Sequence, residues 1–272
     1  MLHIFYKTLA VVILLLLFII AVGGVSHKDK WRIDRIDIAG ANTVSADRVR
    51  ALVKEKLLGN YFFVYARENS FLFPRREIEH TLLDTFPRLS EASALRGDVS
   101  TIEITVSERK PYVLWCGAEF HSELSDPADC WFVDDSGFVF DRAPVFSEGV
   151  YIKMYGPLIE KTVGDPLRSI ISSARFSTVD TFAKLSRADI GEPIRVEMKE
   201  GGENELMIRA SETHPFLAGV SLRFNDEQDP ATLINNLRAS IPVQFPNNVA
   251  LKKKLLYIDM RFGSKIFFGF GE

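Results

Sequence analysis

Thr101-Ile102-Glu103-Ile104-Thr105-Val106-Ser107-Glu108-Arg109-Lys110-Pro111 is the most regular stretch of the chain. Ile102, Ile104 and Val106 fall on one face of a strand and Thr101, Glu103, Thr105 and Ser107 on the other, because side chains alternate along an extended backbone. A strand with one apolar face needs a layer to cover it, and the residues before it supply one. Residues 34–38 alternate as well, with Ile36 and Ile38 on one face; Trp31 and Ile33 are out of phase, which predicts a bulge or a later strand start. Gly40-Ala41-Asn42 breaks that strand. Ser45 is a good N-cap and Asp47 complements the helix dipole, while Val49, Leu52, Val53 and Leu57 recur at helical spacing. Pro74 opens a second helix at its first helical position. Ile78, Leu82 and Phe86 form its stripe, and Pro87 stops it. A weak strand over 91–95 and a turn at Gly97-Asp98 lead back to the quoted strand. The order over 31–109 is therefore β-α-α-β-β, two helices on one face of a small sheet.

Beyond residue 110 strands dominate. Candidates lie at 112–116, 130–134 and 138–140, the last two joined by an Asp135-Ser136-Gly137 turn. Residues 165–184 read as a helix, with Leu167, Ile170, Ile171 and Ala174 in phase. Strands follow at 194–198, 205–210 and 219–224, with Gly201-Gly202 turning the first into the second. Asp229 caps a further helix, Pro230 takes its first position, and Leu233, Ile234, Leu237 and Ile241 make its stripe. Last, Leu256, Ile258, Met260 and Phe262 alternate against Tyr257, Asp259 and Arg261, and Gly263-Ser264 turns into 265–270.

At the other end, Thr8 to Ser26 carries no charge, and a span needs about 20 apolar residues. The run reaches that length when Gly23, Gly24 and Val25 are counted. This predicts a cytoplasmic tail over 1–7 and a transmembrane helix over 8–26. The competing reading is a cleaved signal peptide with Ala21-Val22-Gly23 as its site. Lys7 precedes the run while Lys28, Lys30, Arg32 and Arg35 follow it, so local charge favours the opposite orientation; a long C-terminal part translocates largely regardless of charge. The expected fold class is α+β: a transmembrane helix, the β-α-α-β-β module, then a β-rich domain over 110–272 with one mixed or antiparallel sheet and flanking helices.

Composition narrows the function. Of the 272 residues 47% are hydrophobic and 25% charged, enough for real cores. A net charge of −3 offers no basic face for nucleic acid, and Lys252-Lys253-Lys254 reads as the solvated start of a strand. The two cysteines and five scattered histidines, of which only His121 lies between Cys116 and Cys130, have no zinc-site spacing, so neither metal nor cofactor is expected. Ser107-Glu108-Arg109-Lys110 fits S-x-x-K. That motif works on a helix, however, and here it ends a strand before Pro111 with no S-D-N or K-T-G elsewhere. Asp134 and Asp135 point to opposite faces and read as a turn, as does Arg96-Gly97-Asp98. With no P-loop, dinucleotide fingerprint, G-x-S-x-G or H-E-x-x-H, an enzyme is not expected, and neither is a small-molecule substrate.

Two features have structural alternatives. Cys116 ends one candidate strand and Cys130 begins the next, and outside the cytoplasm an even thiol count permits a disulfide. Closing a loop of about 15 residues is worth about 3 kcal/mol by loop-closure entropy; the alternative is two buried free thiols. The segment 265–270 has no later strand to cover it before Glu272. At a sheet edge its N–H and C=O groups would template an added strand, Lys265 would discourage self-pairing, and Ile266, Phe267, Phe268 and Phe270 would supply side-chain contacts. Otherwise the hairpin is closed into its own sheet.

The pattern resembles the FtsQ/DivIB family of bacterial cell-division proteins, and the first module resembles its POTRA domain. The matching residues are Ile36-Asp37-Ile38-Ala39-Gly40-Ala41-Asn42, Val44-Ser45, Phe86-Pro87 and the quoted strand with its Glu108-Arg109-Lys110-Pro111 ending. Further on they are Trp131-Phe132-Val133-Asp134-Asp135-Ser136-Gly137-Phe138-Val139-Phe140 and Tyr257-Ile258-Asp259-Met260-Arg261-Phe262. The chain departs from the family at Gly97-Asp98-Val99-Ser100, where a proline is usual, and 145–215 matches in pattern only. The resemblance implies a single-pass scaffold of the cytoplasmic (inner) membrane at the division site, its C-terminal domain extracytoplasmic, linking early and late division proteins during septation. It further implies capture of FtsB/FtsL-type coiled-coil proteins by strand addition at Arg261, Phe262, Gly263, Ser264, Lys265, Ile266, Phe267 and Phe268. Arg261 would pair with an acidic partner residue and Phe262 would make an apolar contact. The POTRA unit would help recruit the protein through an FtsK-like member. The alternative is a POTRA-containing exported chaperone or secretion component, although the run of amphipathic strands that a barrel needs is missing. Titration of the native protein with a thiol reagent, without reductant, is expected to find no free thiol; two reactive thiols after unfolding would remove the disulfide.

Overall fold

A computed structural model of the chain describes residues 2–120, 129–212, 214–246 and 253–271. His121 and Lys252 lie outside them. The protein is mixed α+β and divides into two compact units, Met1–Arg109 and Lys110–Glu272.

The first unit begins with α1 (Leu2–Ser26), which contains 21 residues, Tyr6–Ser26, long and apolar enough to cross a membrane. The helix starts well before residue 8, because no proline or glycine interrupts residues 3–7. A short 3-10 turn at Asp29–Trp31 follows, and β1 (Arg35–Ala39) starts only after Ile33, which resolves the phase break as a late strand start. Then come α2 (Ala46–Leu57), two short strands β2 (Asn60–Tyr61) and β3 (Tyr65–Ala66), α3 (Arg75–Thr85), β4 (Leu89–Arg96) and β5 (Thr101–Glu108). Pro74 is the N-cap of α3 and not its first helical residue. The sheet order is β1-β5-β4, with β1 parallel and β4 antiparallel to β5. Val49 and Val53 of α2, Ile78 and Leu82 of α3, and Ile102, Ile104 and Val106 of β5 form one buried core, while Glu103, Thr105 and Ser107 stay exposed. Both helices therefore cover one face. The β2–β3 hairpin between them has no clear signal in the sequence.

The end of β5 also sets the loop that enters α2. Glu108 Oε1 accepts the backbone N–H groups of Asn42, Thr43 and Val44 at 2.7, 2.8 and 2.9 Å, just ahead of the Ser45 cap on Arg48 N–H. Successive N–H groups converging on one oxygen make an anion nest. Burial works to raise the Glu108 pKa, but the three backbone donors outweigh it and the pKa is lowered.

Among its described residues the second unit holds one nine-stranded mixed sheet and two long helices. Its strands are β6 (Val113–Trp115), β7 (Trp131–Val133), β8 (Val139–Arg142), β9 (Lys153–Tyr155), β10 (Glu192–Met198), β11 (Glu203–Ala210), β12 (Ser221–Asn225), β13 (Leu255–Phe262) and β14 (Lys265–Phe270). Their order in the sheet is β14-β13-β12-β11-β10-β9-β6-β7-β8. α4 (Ser173–Asp189) links the parallel pair β9/β10, and α5 (Pro230–Gln244) links the parallel pair β12/β13. Phe182 of α4 stacks on Phe224 of β12 at 4.0 Å inside the main core. Arg175 of α4 donates to the carbonyls of Lys199 and Glu203 and pairs with Asp226, tying the helix to the β10–β11 turn.

The second unit departs from the sequence expectation at two further places. Residues 165–172 are not helical, and α4 starts at Ser173. Asp165 Oδ1 takes the Leu167 N–H in a local turn, and Arg168, Ser169 and Ile171 instead bond along the outer side of β8. In β13 the inward face is Leu255, Ile258 and Met260, while Leu256 and Phe262 are exposed, because irregularities between Leu255 and Tyr257 and between Asp259 and Phe262 shift the alternation.

Glu108→Ala is expected to destabilise the first unit by about 1–2 kcal/mol, at the low end because the carboxylate is partly solvated, with Glu108→Gln costing less. Since the folded pKa is depressed, this stability is present above the unfolded pKa and is lost as pH falls through the folded one. Urea titrations of wild type and variant at neutral and acid pH check this: the gap should close on the acid side.

Candidate functional site

The two faces of the large sheet are covered differently. Helices α4 and α5 lie on one. On the other, the β6–β7–β8 end is roofed by a small second core, in which Cys116 and Cys130 are joined in a disulfide among Leu114, Phe132, Phe140 and Tyr155. From β10 to β14 that same face carries side chains in ion pairs. Arg195 pairs with Glu197 at 3.0 Å, Lys199 with Glu205 at 2.7 Å, and Arg223 lies over the Tyr257 ring at 4.0 Å.

The two edges differ as well. At β8, the Val139 N–H donates to Ser169 O at 2.9 Å, and the N–H groups of Arg168 and Ile171 donate to Val139 O and Gly137 O. That edge is occupied at its start, at Val139. At the opposite edge, β14 pairs with β13, and no other described strand pairs with it. An edge of this kind presents backbone donors and acceptors to an incoming extended segment.

The hairpin is fixed by its turn. Phe262 lies opposite Lys265, leaving Gly263-Ser264 as a two-residue loop, and Gly263 has φ +68, as the first position of a type II′ turn requires. The register then sorts the side chains. Ile266 and Phe268 pack toward the main core, Phe268 lying 5.3 Å from the Phe245 ring, so these two anchor the strand. Phe267 is on the other face, opposite Asp259, and is 49% exposed; Phe262 is 57% exposed. Their rings meet edge to face at 5.4 Å. Tyr257, Asp259, Phe262, Lys265 and Phe267 line one shallow depression. Tyr257 lies over Gly269, where a Cβ would collide with its ring.

Of the eight residues implied by resemblance, the structure thus puts Phe262, Lys265 and Phe267 around the depression and Gly263-Ser264 in the turn, and turns Ile266 and Phe268 inward. Arg261 is already engaged. Its guanidinium donates to both oxygens of Asp259, at 2.9 and 2.6 Å, and pairs with Glu203 at 2.7 Å. An acidic partner residue would have to compete with two carboxylates. Asp259 is 5% exposed. Burial works to raise its pKa; the Arg261 side chain and backbone N–H, with the Arg223 charge, outweigh this and lower it. Sequence reasoning left Tyr257 and Asp259 out of the site: counted back from the Phe262–Lys265 closure Phe267 would face Met260, and the irregularity between Asp259 and Phe262 brings it opposite Asp259 instead.

Other sequence candidates do not assemble. Ser107 is exposed on the outer face of β5. Asp134 is buried and accepts from Ser136 N–H, Ser136 Oγ and Phe138 N–H, as a turn residue does. Among the described residues no group of three His, Cys, Asp or Glu could hold a metal ion. The chain matches no protein-family model and no curated protein.

Arg261→Met should cost about 3 kcal/mol at neutral pH by leaving the buried Asp259 with only the residue-261 backbone N–H and the Arg223 charge. The folded Asp259 pKa is depressed, so its contribution is present above the unfolded pKa and fades as pH falls through the folded value. Thermal unfolding across that range should show the two proteins converging in acid; a constant gap would mean that Arg261 acts by packing alone.

Proposed function

We propose that the chain is an FtsQ/DivIB-type scaffold of the bacterial divisome, held in the cytoplasmic membrane by α1 with both units on the extracytoplasmic side. In this reading β14 captures an FtsB/FtsL-type coiled-coil division protein by strand addition. The observation that carries it is the asymmetry of the large sheet: residues 168–171 bond to the β8 edge at Val139 and just before it, and no described strand other than β13 pairs with β14. Backbone pairing would supply affinity, and the exposed Phe262–Phe267 pair would supply an apolar contact beside the added strand. Lys265, exposed on the same strand, disfavours β14 pairing with a second copy of itself.

The first unit is read as the POTRA domain, with an FtsK-like protein as its recruiting partner. Its order of strands and helices, with α2 and α3 on one face of a three-stranded sheet, supports this; the β2–β3 hairpin is an addition to that order. No chemistry is assigned to either unit in this reading. The protein works by holding surfaces together.

The test is capture of the organism's own small coiled-coil membrane proteins by the detergent-solubilised full chain, with Phe267→Asp beside it. Because Phe267 is half exposed, the variant should keep the wild-type circular dichroism and melting point while losing capture. Undiminished capture by a folded variant would remove the β14 edge from the function.

A further inference from the structure

The β2–β3 hairpin ends in a turn that is costly to form. Val64 N–H bonds to Tyr61 O at 3.0 Å, and the two central residues, Phe62 and Phe63, both have positive φ, at 49 and 63. A turn of this kind favours Asn-Gly, and the left-handed region is unfavourable for a bulky side chain. Nor does the protein recover that cost by burying the rings, since Phe62 is 88% and Phe63 98% exposed. Two adjacent aromatic side chains are thus displayed at a strained tip, against the cost in water of exposed apolar area.

The hairpin is also docked on α1. Gly23 has no Cβ, and one placed there would run into Val64, so this glycine lets the hairpin lie directly on the helix. His27 Nε2 is 3.0 Å from Val64 O, the Ala66 N–H donates to Ser26 Oγ at 3.2 Å, and Tyr65 OH reaches Ile19 O at 3.5 Å. Ile19 lies seven residues before Ser26, about 10 Å down the helix axis. The hairpin therefore runs beside the last two turns of the apolar segment itself.

We propose that Phe62 and Phe63 insert into the lipid headgroup and upper acyl region beside α1, giving the first unit a second membrane contact that fixes its orientation on the bilayer. The inference rests on the single-span reading of α1. A lipid surface is the occupant because the tip sits alongside residues that would themselves be in the bilayer. Tyr61 and Tyr65 flank it, and aromatic residues favour that depth.

The test uses the full chain with Phe63→Cys carrying an NBD fluorophore. The chain's own two cysteines are disulfide-bonded and do not compete for the label. The protein is reconstituted in phosphatidylcholine–phosphatidylglycerol vesicles and floated on a density gradient. Flotation reports the anchor; quenching reports the tip. The proposal expects severalfold stronger quenching by lipids with a nitroxide near the headgroup than by aqueous iodide. It also expects reversal of that preference when Gly23→Leu displaces the hairpin while the protein still floats. Protein that floats with an iodide-accessible label overturns the insertion and leaves the anchor standing, the phenylalanine pair then being free for a protein partner. Protein that does not float overturns both.

Discussion

Parallel neighbours in a sheet cannot be joined by a tight turn, because the chain must return to the starting end before the next strand. Among the described residues of the second unit three neighbouring pairs are parallel: β6 and β9 are separated along the chain by β7 and β8, while β9 to β10 and β12 to β13 are each bridged by a long helix. Both helices bury their stripes on the same face, where Phe176, Val179 and Phe182 meet Leu233, Leu237 and Ile241 over the central strands. Much of the unit follows from that placement. The opposite face is left to ion pairs and to the small disulfide-bearing core, and β13 is followed by β14 on the outside of the sheet.

The exposed hairpin is stable because its two faces do different work. Ile266 and Phe268 tie it to the core through Phe245 while Phe262 and Phe267 stay outside. Arg261 holds the end of β13 by neutralising a buried aspartate and reaching Glu203 on β11, so an ion pair that looks available in the sequence is spent on the scaffold. Specificity at such an edge then depends more on shape and backbone pairing than on a free charge.

A similar division of labour marks the first unit. One carboxylate, Glu108, organises the loop ahead of α2, and Glu79 of α3 accepts both from Arg75 and from the backbone N–H of Ala94 in the edge strand β4. One N–H of that edge is thus taken by a side chain, where the larger sheet bonds Val139 of β8 to residues 168 and 169. On the α1 side, polar contacts from Ser26, His27 and Asn69 hold the β2–β3 hairpin against the helix.

Periodicity in the sequence was enough to place α2, α3, α5, β5 and the terminal hairpin, because in each a single apolar face repeats without interruption and the caps or turn residues stand at its ends. It also determined the long apolar N-terminal segment. It misplaced the start of α4, where Leu167, Ile170 and Ile171 keep helical phase but their N–H groups are taken by Asp165 Oδ1, Ile159 O and Gly137 O. It misread the inward face of β13, where local irregularities shift a period of two. Neither Glu108 as a loop organiser nor the docking of the β2–β3 hairpin on Gly23 could be read from the sequence, since each joins residues tens of positions apart. Alternation says which way a side chain points along its own strand. Whether that direction is core, solvent or an open edge is decided by what the rest of the chain brings alongside, and that is a property of the tertiary structure alone.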